Sequence, residues 1–199
     1  MLFMVIGCNA NKQIQLTQLN DNRIQLFFTK YSDQGVSFYL KKRIKLRNPY
    51  FWPAKMKMYY FLEGKQIDDA YAYPMDYDRY NKLAIIGTDK GEVWGEIKLH
   101  PLGEREIIYE IAFFSIDSIS FTGMYKNLEQ YISLAKHPLE ENGETGEKYE
   151  NKRVLIYEEP FSEFKRKNPE LAESLIKGDT IELEVLSPIK AKYRYDAQW

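Results

Sequence analysis

The chain has one cysteine and two histidines among its 199 residues, and each scarcity removes a class of function. A single thiol builds no internal disulfide framework and leaves no second Cys for a thiolate zinc site. His100 and His137 stand far apart, without a neighbouring Ser, Cys or spaced carboxylate, so a catalytic triad or a histidine metal site lacks parts. Both read as surface histidines. Gly-rich phosphate loops, Walker patterns and dinucleotide fingerprints are missing, so no cofactor is expected. Neither sign of charge is in excess: 28 Lys and Arg against 29 Asp and Glu give a formal charge of -1 at pH 7. Such a balance supplies no field to gather nucleic acid, and no nucleic-acid partner is expected. No apolar run reaches the length of a membrane-spanning helix, and no internal repeat or second domain boundary is visible.

What is present suits a folded, sheet-rich domain. Hydrophobic residues make up 44% and charged residues 29% of the sequence, both in the globular range. Aromatics reach 15%, with 16 Tyr, a composition that favours pleated, half-buried surfaces.

The chain opens on "MLFMVIGCNANK", an apolar run that ends in the only cysteine. Val5-Ile6-Gly7-Cys8, in the order aliphatic, aliphatic, small, Cys, resembles the lipobox of bacterial lipoproteins. The resemblance implies cleavage before Cys8, a diacylglyceryl group on its sulfur and acylation of its new amino group. No Lys or Arg precedes the run, and the run is shorter than a usual h-region, so residues 1–7 are expected to be the remnant of a longer signal peptide. The Asn- and Gln-rich stretch that follows predicts a polar tether over 8–22 and a single β-rich domain over 23–199. Asn9 is not Asp, so the family's inner-membrane retention signal is absent, which implies the outer membrane in a Gram-negative cell. The alternative is an ordinary apolar strand holding a buried Cys8.

Further on, period-two alternation dominates. Val36, Phe38, Leu40, Ile44 and Leu46 share one face, and Ser37, Tyr39, Lys41, Arg43, Lys45 and Arg47 the other, with Lys42 the one interruption. Asn48-Pro49 breaks this strand, and Met56, Met58, Tyr60 and Leu62 mark the next, predicting two adjacent antiparallel strands. Pro101-Leu102-Gly103-Glu104 predicts a hairpin between "EVWGEIKLH" and "REIIYEIAFFSI". In the C-terminal third, helical spacing predicts one helix over Thr122 to His137. A second helix is predicted after "VLIYEEPF", with Asn168 as cap, Pro169 at its first position and Gly178 past its end. The expected fold is mainly β, a β-sandwich with one or two short helices; α+β is the alternative. Residues 43–67, with Asn48-Pro49 between two apolar strands, resemble the immunoglobulin-like domain of water-stress and late-embryogenesis proteins, which implies an immunoglobulin-like architecture and no particular function.

Two surfaces are candidates for binding. Lys41, Arg43, Lys45 and Arg47 project to one side about 7 Å apart, so their repulsion must be offset by acidic strands or by an anionic partner. The strands carrying Glu92 and Glu96, or Glu182 and Glu184, are the expected neighbours. Tyr50, Phe51 and Trp52 at the strand break, with Tyr71, Tyr73, Tyr77 and Tyr80 in a following loop, either line a sugar- or peptide-binding face or cover the open end of the sandwich. Asp68, Asp69, Asp76 and Asp78 in that loop lack the glycine and terminal glutamate of a calcium loop and read as solvated. The inventory thus predicts no catalytic or metal residue, and Cys8 as lipid attachment site. Three roles fit: a lipid-anchored binding or accessory module, such as a toxin-sequestering immunity protein with an envelope protein or glycan as ligand; a structural lipoprotein; or an enzyme whose site is assembled from scattered residues.

Overall fold

The computed structural model describes residues 13–29, 36–78, 81–88, 92–113, 128, 130–135 and 154–199. Cys8, Tyr80 and His137 lie outside them. The protein is mainly β, built as two antiparallel sheets with short helices. Its strands are β1 (Gln15–Gln18), β2 (Arg23–Thr29), β3 (Val36–Arg47), β4 (Ala54–Leu62), β5 (Lys65–Gln66), β6 (Ala72–Tyr77), β7 (Leu83–Ile85), β8 (Ile97–Leu99), β9 (Glu104–Phe113), β10 (Val154–Pro160), β11 (Thr180–Ser187) and β12 (Ala191–Asp196). Helices α1 (Phe161–Lys167) and α2 (Pro169–Ile176) follow β10. One sheet runs β10-β2-β3-β9-β6-β7, with β1 also paired to β3, and the other runs β12-β11-β4-β5, with β8 paired to β4.

The alternation in β3 dictates its placement. Val36, Phe38, Leu40, Ile44 and Leu46 are buried in one apolar cluster with Met56 and Met58 of β4 and Ile181 and Leu183 of β11. Full burial of each such side chain contributes about 1.5–3 kcal/mol. Tyr109 of β9 crosses between the sheets, its hydroxyl donating to the Met58 carbonyl at 3.3 Å.

Several expectations are corrected. The tether does not extend to residue 22: Ile14 is buried, and Gln15 to Gln18 pair with Arg47 to Ile44. Ile14 and Leu16 give this polar stretch enough apolar surface to join the sheet. β3 and β4 are not neighbours, because the break at Asn48-Pro49 carries the chain from one sheet to the other. The segment at Pro101 to Gly103 is likewise a corner between sheets and not a hairpin, since β8 pairs with β4 and β9 with β3. "AYPMDY", expected in a loop, is β6, paired with β9. The predicted strand from Glu92 begins only at Ile97, leaving Val93 half-exposed and Glu96 buried.

Of the helix expected from Thr122 to His137, the structure describes only Leu128 and residues 130–135, of which Leu128, Gln130, Tyr131 and Ile132 are helical. The second predicted helix holds, with Pro169 first and Gly178 at φ +62°, but α1 precedes it. Asn168 joins the two without a side-chain cap; its amide donates to the Tyr131 hydroxyl at 2.7 Å.

Candidate functional site

The basic side of β3 is compensated residue by residue. Arg43 donates to Asp21 at 2.5 Å and to Glu106 at 2.6 Å, hydrogen bonds that hold its pKa above the ordinary arginine value. Lys45 reaches Glu104 at 2.5 Å and keeps that carboxylate below its usual range, while Arg47 meets the same carboxylate at 3.6 Å. Lys41 lies 3.4 Å from Glu158, which also takes Arg23, and 4.0 Å from Glu110. Register explains the choice of partners: β9 sets Glu110, Glu106 and Glu104 directly opposite Lys41, Lys45 and Arg47. The acids expected there are engaged elsewhere, Glu182 with Lys192 and Arg194, Glu92 with Lys98, and Glu96 with Lys55.

This face therefore supplies cross-strand pairs and no uncompensated stripe. Arg43→Glu should set three carboxylates against each other and cost on the order of 1 kcal/mol, given the exposure of the pairs. Urea titrations at low and high salt check it: the loss should shrink as salt screens the repulsion.

Beside these pairs an open groove of about 490 Å³ is lined by Arg23, Arg43, Met75, Tyr77, Glu106 and Ile108. A second, of about 360 Å³, gathers Asp76, Asp78, Glu92 and Glu96 with Lys98 and Arg105. Its acids already serve the fold: Asp76 accepts from Arg105 at 2.7 Å and the Asp78 side chain from the Lys82 amide at 2.8 Å. Among the described residues no group of three or more His, Cys, Asp or Glu side chains is placed to hold a metal ion.

The aromatics divide. Tyr73, on β6, donates to Glu110 at 2.9 Å and meets the edge of Trp94, while Tyr71 and Tyr77 are exposed. Tyr50 stacks on Trp52 at 6.4 Å and packs on the core, whereas Phe51 is 70% and Trp52 52% exposed. Their loop is rigidly cross-linked. Asn48 donates from its side chain to the carbonyls of Trp52 at 2.8 Å and His100 at 2.9 Å, and backbone bonds join Asn48 to Gly103 and Leu102 to Tyr50. Leu102, at φ +52°, is held 55% exposed beside them.

A second polar centre was signalled only by the break in the β3 alternation. Lys42 faces the core at 0% exposure, opposite the interruption between β1 and β2. Its ammonium donates to the Gln198 carbonyl, lies 3.5 Å from Asn22 Oδ1 and sits 4.5 Å from the Trp199 ring centre. Burial pushes the Lys42 pKa down to about 8, against the pull of Asp179. Asp179 accepts from the Tyr60 hydroxyl at 2.5 Å and from Trp199 Nε1 at 2.6 Å, and burial raises its pKa despite both bonds. Gln18 fixes the C-terminal strap, donating to the Asp196 carbonyl and accepting from the Gln198 amide, each at 2.8 Å. With Lys42 fully buried and bonded to the strap, this centre locks the strap to the sheets.

No protein-family model, curated protein or solved structure matches this chain.

Proposed function

We propose that the chain is a bacterial envelope lipoprotein, anchored through Cys8, whose β-sandwich serves as a non-catalytic binding or accessory module. The observation that carries this reading is Val5-Ile6-Gly7-Cys8 set directly ahead of a domain whose buried core includes residues as early as Ile14. Five residues separate Cys8 from Ile14, enough to join an acylated cysteine to the sandwich while keeping the domain close to the bilayer. Several acyl chains on one residue satisfy the two-signal requirement for stable anchoring. The residue at Asn9 favours the outer membrane in a Gram-negative host. An envelope protein or a glycan is the ligand class that suits a charge-balanced module without a metal or nucleotide motif.

Cells expressing the gene with its full upstream sequence should incorporate radiolabelled palmitate into the protein and retain it in the membrane fraction. Cys8→Ala should abolish the label and release the protein. An unlabelled wild type found in the soluble fraction would overturn the reading.

A further inference from the structure

We infer that the end of the sandwich carrying Phe51, Trp52, Leu102 and Ile189 is a membrane-contacting surface, lying in the bilayer interface when the protein is anchored. This rests on the proposed anchor at Cys8 and adds which face of the domain meets the lipid.

The topology gathers these side chains at one end. The β3–β4 corner bears Phe51 and Trp52, and the β8–β9 corner bears Leu102; hydrogen bonds from Asn48 to His100 and Gly103 and from the Leu102 amide to the Tyr50 carbonyl tie the two together. The β11–β12 turn bears Ile189, 56% exposed, and follows Ser187, which pairs with Lys55 two residues past Pro53. Four of the largest exposed hydrophobic side chains among the described residues thus project from three neighbouring turns, where water exposure is costly and a lipid interface is not.

The start of the folded chain selects the occupant. Gln15 pairs with Arg47, the last residue of β3, so the first described residues of the chain stand at this same end. Cys8 stands five residues before Gln13, a reach of at most about 17 Å for extended chain. The opposite end of β3 is about 40 Å away along the 12-residue strand. A lipid on Cys8 therefore holds the aromatic end, and not the far end, against the bilayer. Lys190, exposed next to Ile189, sets a positive charge suited to anionic headgroups beside the apolar side chains. Tryptophan at the rim matches the preference of its amphipathic ring for the headgroup level.

Because Cys8 is the only cysteine, the full chain can be coupled through its thiol to maleimide-headgroup lipids in anionic phosphatidylglycerol and phosphatidylcholine vesicles, which supplies the anchor by chemistry whether or not cells acylate it. With brominated acyl chains in the vesicles, Trp52 emission should fall at least twofold. Trp52→Phe should remove the quenchable component, Trp94→Phe should keep it, and Phe51→Ser with Leu102→Ser and Ile189→Ser should weaken it, near-UV circular dichroism reporting an intact fold for each. A coupled chain whose Trp52 is unquenched overturns the contact surface and leaves the anchor reading standing. Quenching in a chain that cells never label with palmitate upholds the surface and overturns the anchor. A folded chain whose Cys8 resists the maleimide has a buried cysteine, and both fail.

Discussion

Asp179→Ala should lower the unfolding free energy by about 3–5 kcal/mol, since each buried donor stranded without an acceptor costs about 1–3 kcal/mol and the Lys42 ammonium loses a stabilising field. The carboxylate is 8% exposed and receives Tyr60 from one sheet and Trp199 from the C-terminal strap, while its field stabilises the Lys42 ammonium. Truncation strands two donors at once, the Tyr60 hydroxyl and the Trp199 indole N–H, and buried donors left without acceptors carry the full desolvation cost. Asp179→Asn keeps an oxygen for Tyr60 or Trp199 but deletes the charge, so it should cost clearly less than the alanine variant. If the alanine protein is too unstable to study, the asparagine variant still reports the charge contribution. Urea unfolding, with near-UV circular dichroism following Trp199, measures both. An alanine variant within about 1 kcal/mol of wild type would show that Tyr60 and Trp199 find other partners, and that the strap does not depend on this carboxylate.

The contrast between β3 and its surroundings shows what sequence patterning can carry. Side-chain period fixes which face of a strand is apolar, so the inward set from Val36 to Leu46 and the outward set from Lys41 to Arg47 were legible residue by residue. Period does not name the neighbour. Asn48-Pro49 and Pro101-Gly103 have the residues of reversals, yet both connect strands of different sheets, and only the hydrogen bonds between the two corners explain why. The same gap misassigned the acids beside the basic residues: Glu104, Glu106 and Glu110 were visible as charges, but their place opposite β3 depends on long-range pairing. Strand β6 was concealed by Pro74 and Asp76, residues typical of turns, although it pairs with β9 on one side and β7 on the other. Phe51 and Trp52 stood out as aromatics at a break. Leu102 and Ile189 gave no such signal, because isolated apolar residues in turns acquire meaning only when the fold sets them side by side. Lys42 was legible as an anomaly, and its partners were not, since Asn22, Asp179 and Trp199 come from three distant segments.

That anomaly sets the pH response of the fold. Between pH 7 and pH 10 the wild-type protein should gain about 2 kcal/mol of stability relative to Lys42→Met. Burial lowers the Lys42 pKa from 10.5 to about 8, so over this window the unfolded chain holds the proton that the folded chain has released. Stability rises with pH wherever the unfolded state binds more protons, and the cost of burying the ammonium is therefore relieved as pH climbs through the folded value. The methionine variant fills the same space without a titrating group. At pH 7 it is freed from ammonium desolvation but forfeits the bond to the Gln198 carbonyl and the contact with Trp199, so its absolute stability should lie near that of wild type. At pH 10 the neutral amine of the wild type still donates to Gln198, and wild type should be the more stable of the two. Beyond pH 10 both proteins should weaken together. Burial holds the Tyr60, Tyr73 and Tyr109 hydroxyls well above the ordinary value and Tyr59 at about 12, so unfolded tyrosines ionise first and pull the equilibrium toward the unfolded chain. Urea titrations of both proteins at pH 7, 8, 9 and 10 decide the matter. Parallel stability curves would mean that Lys42 keeps an ordinary pKa, which a fully buried ammonium can do only if Asp179 compensates its desolvation completely.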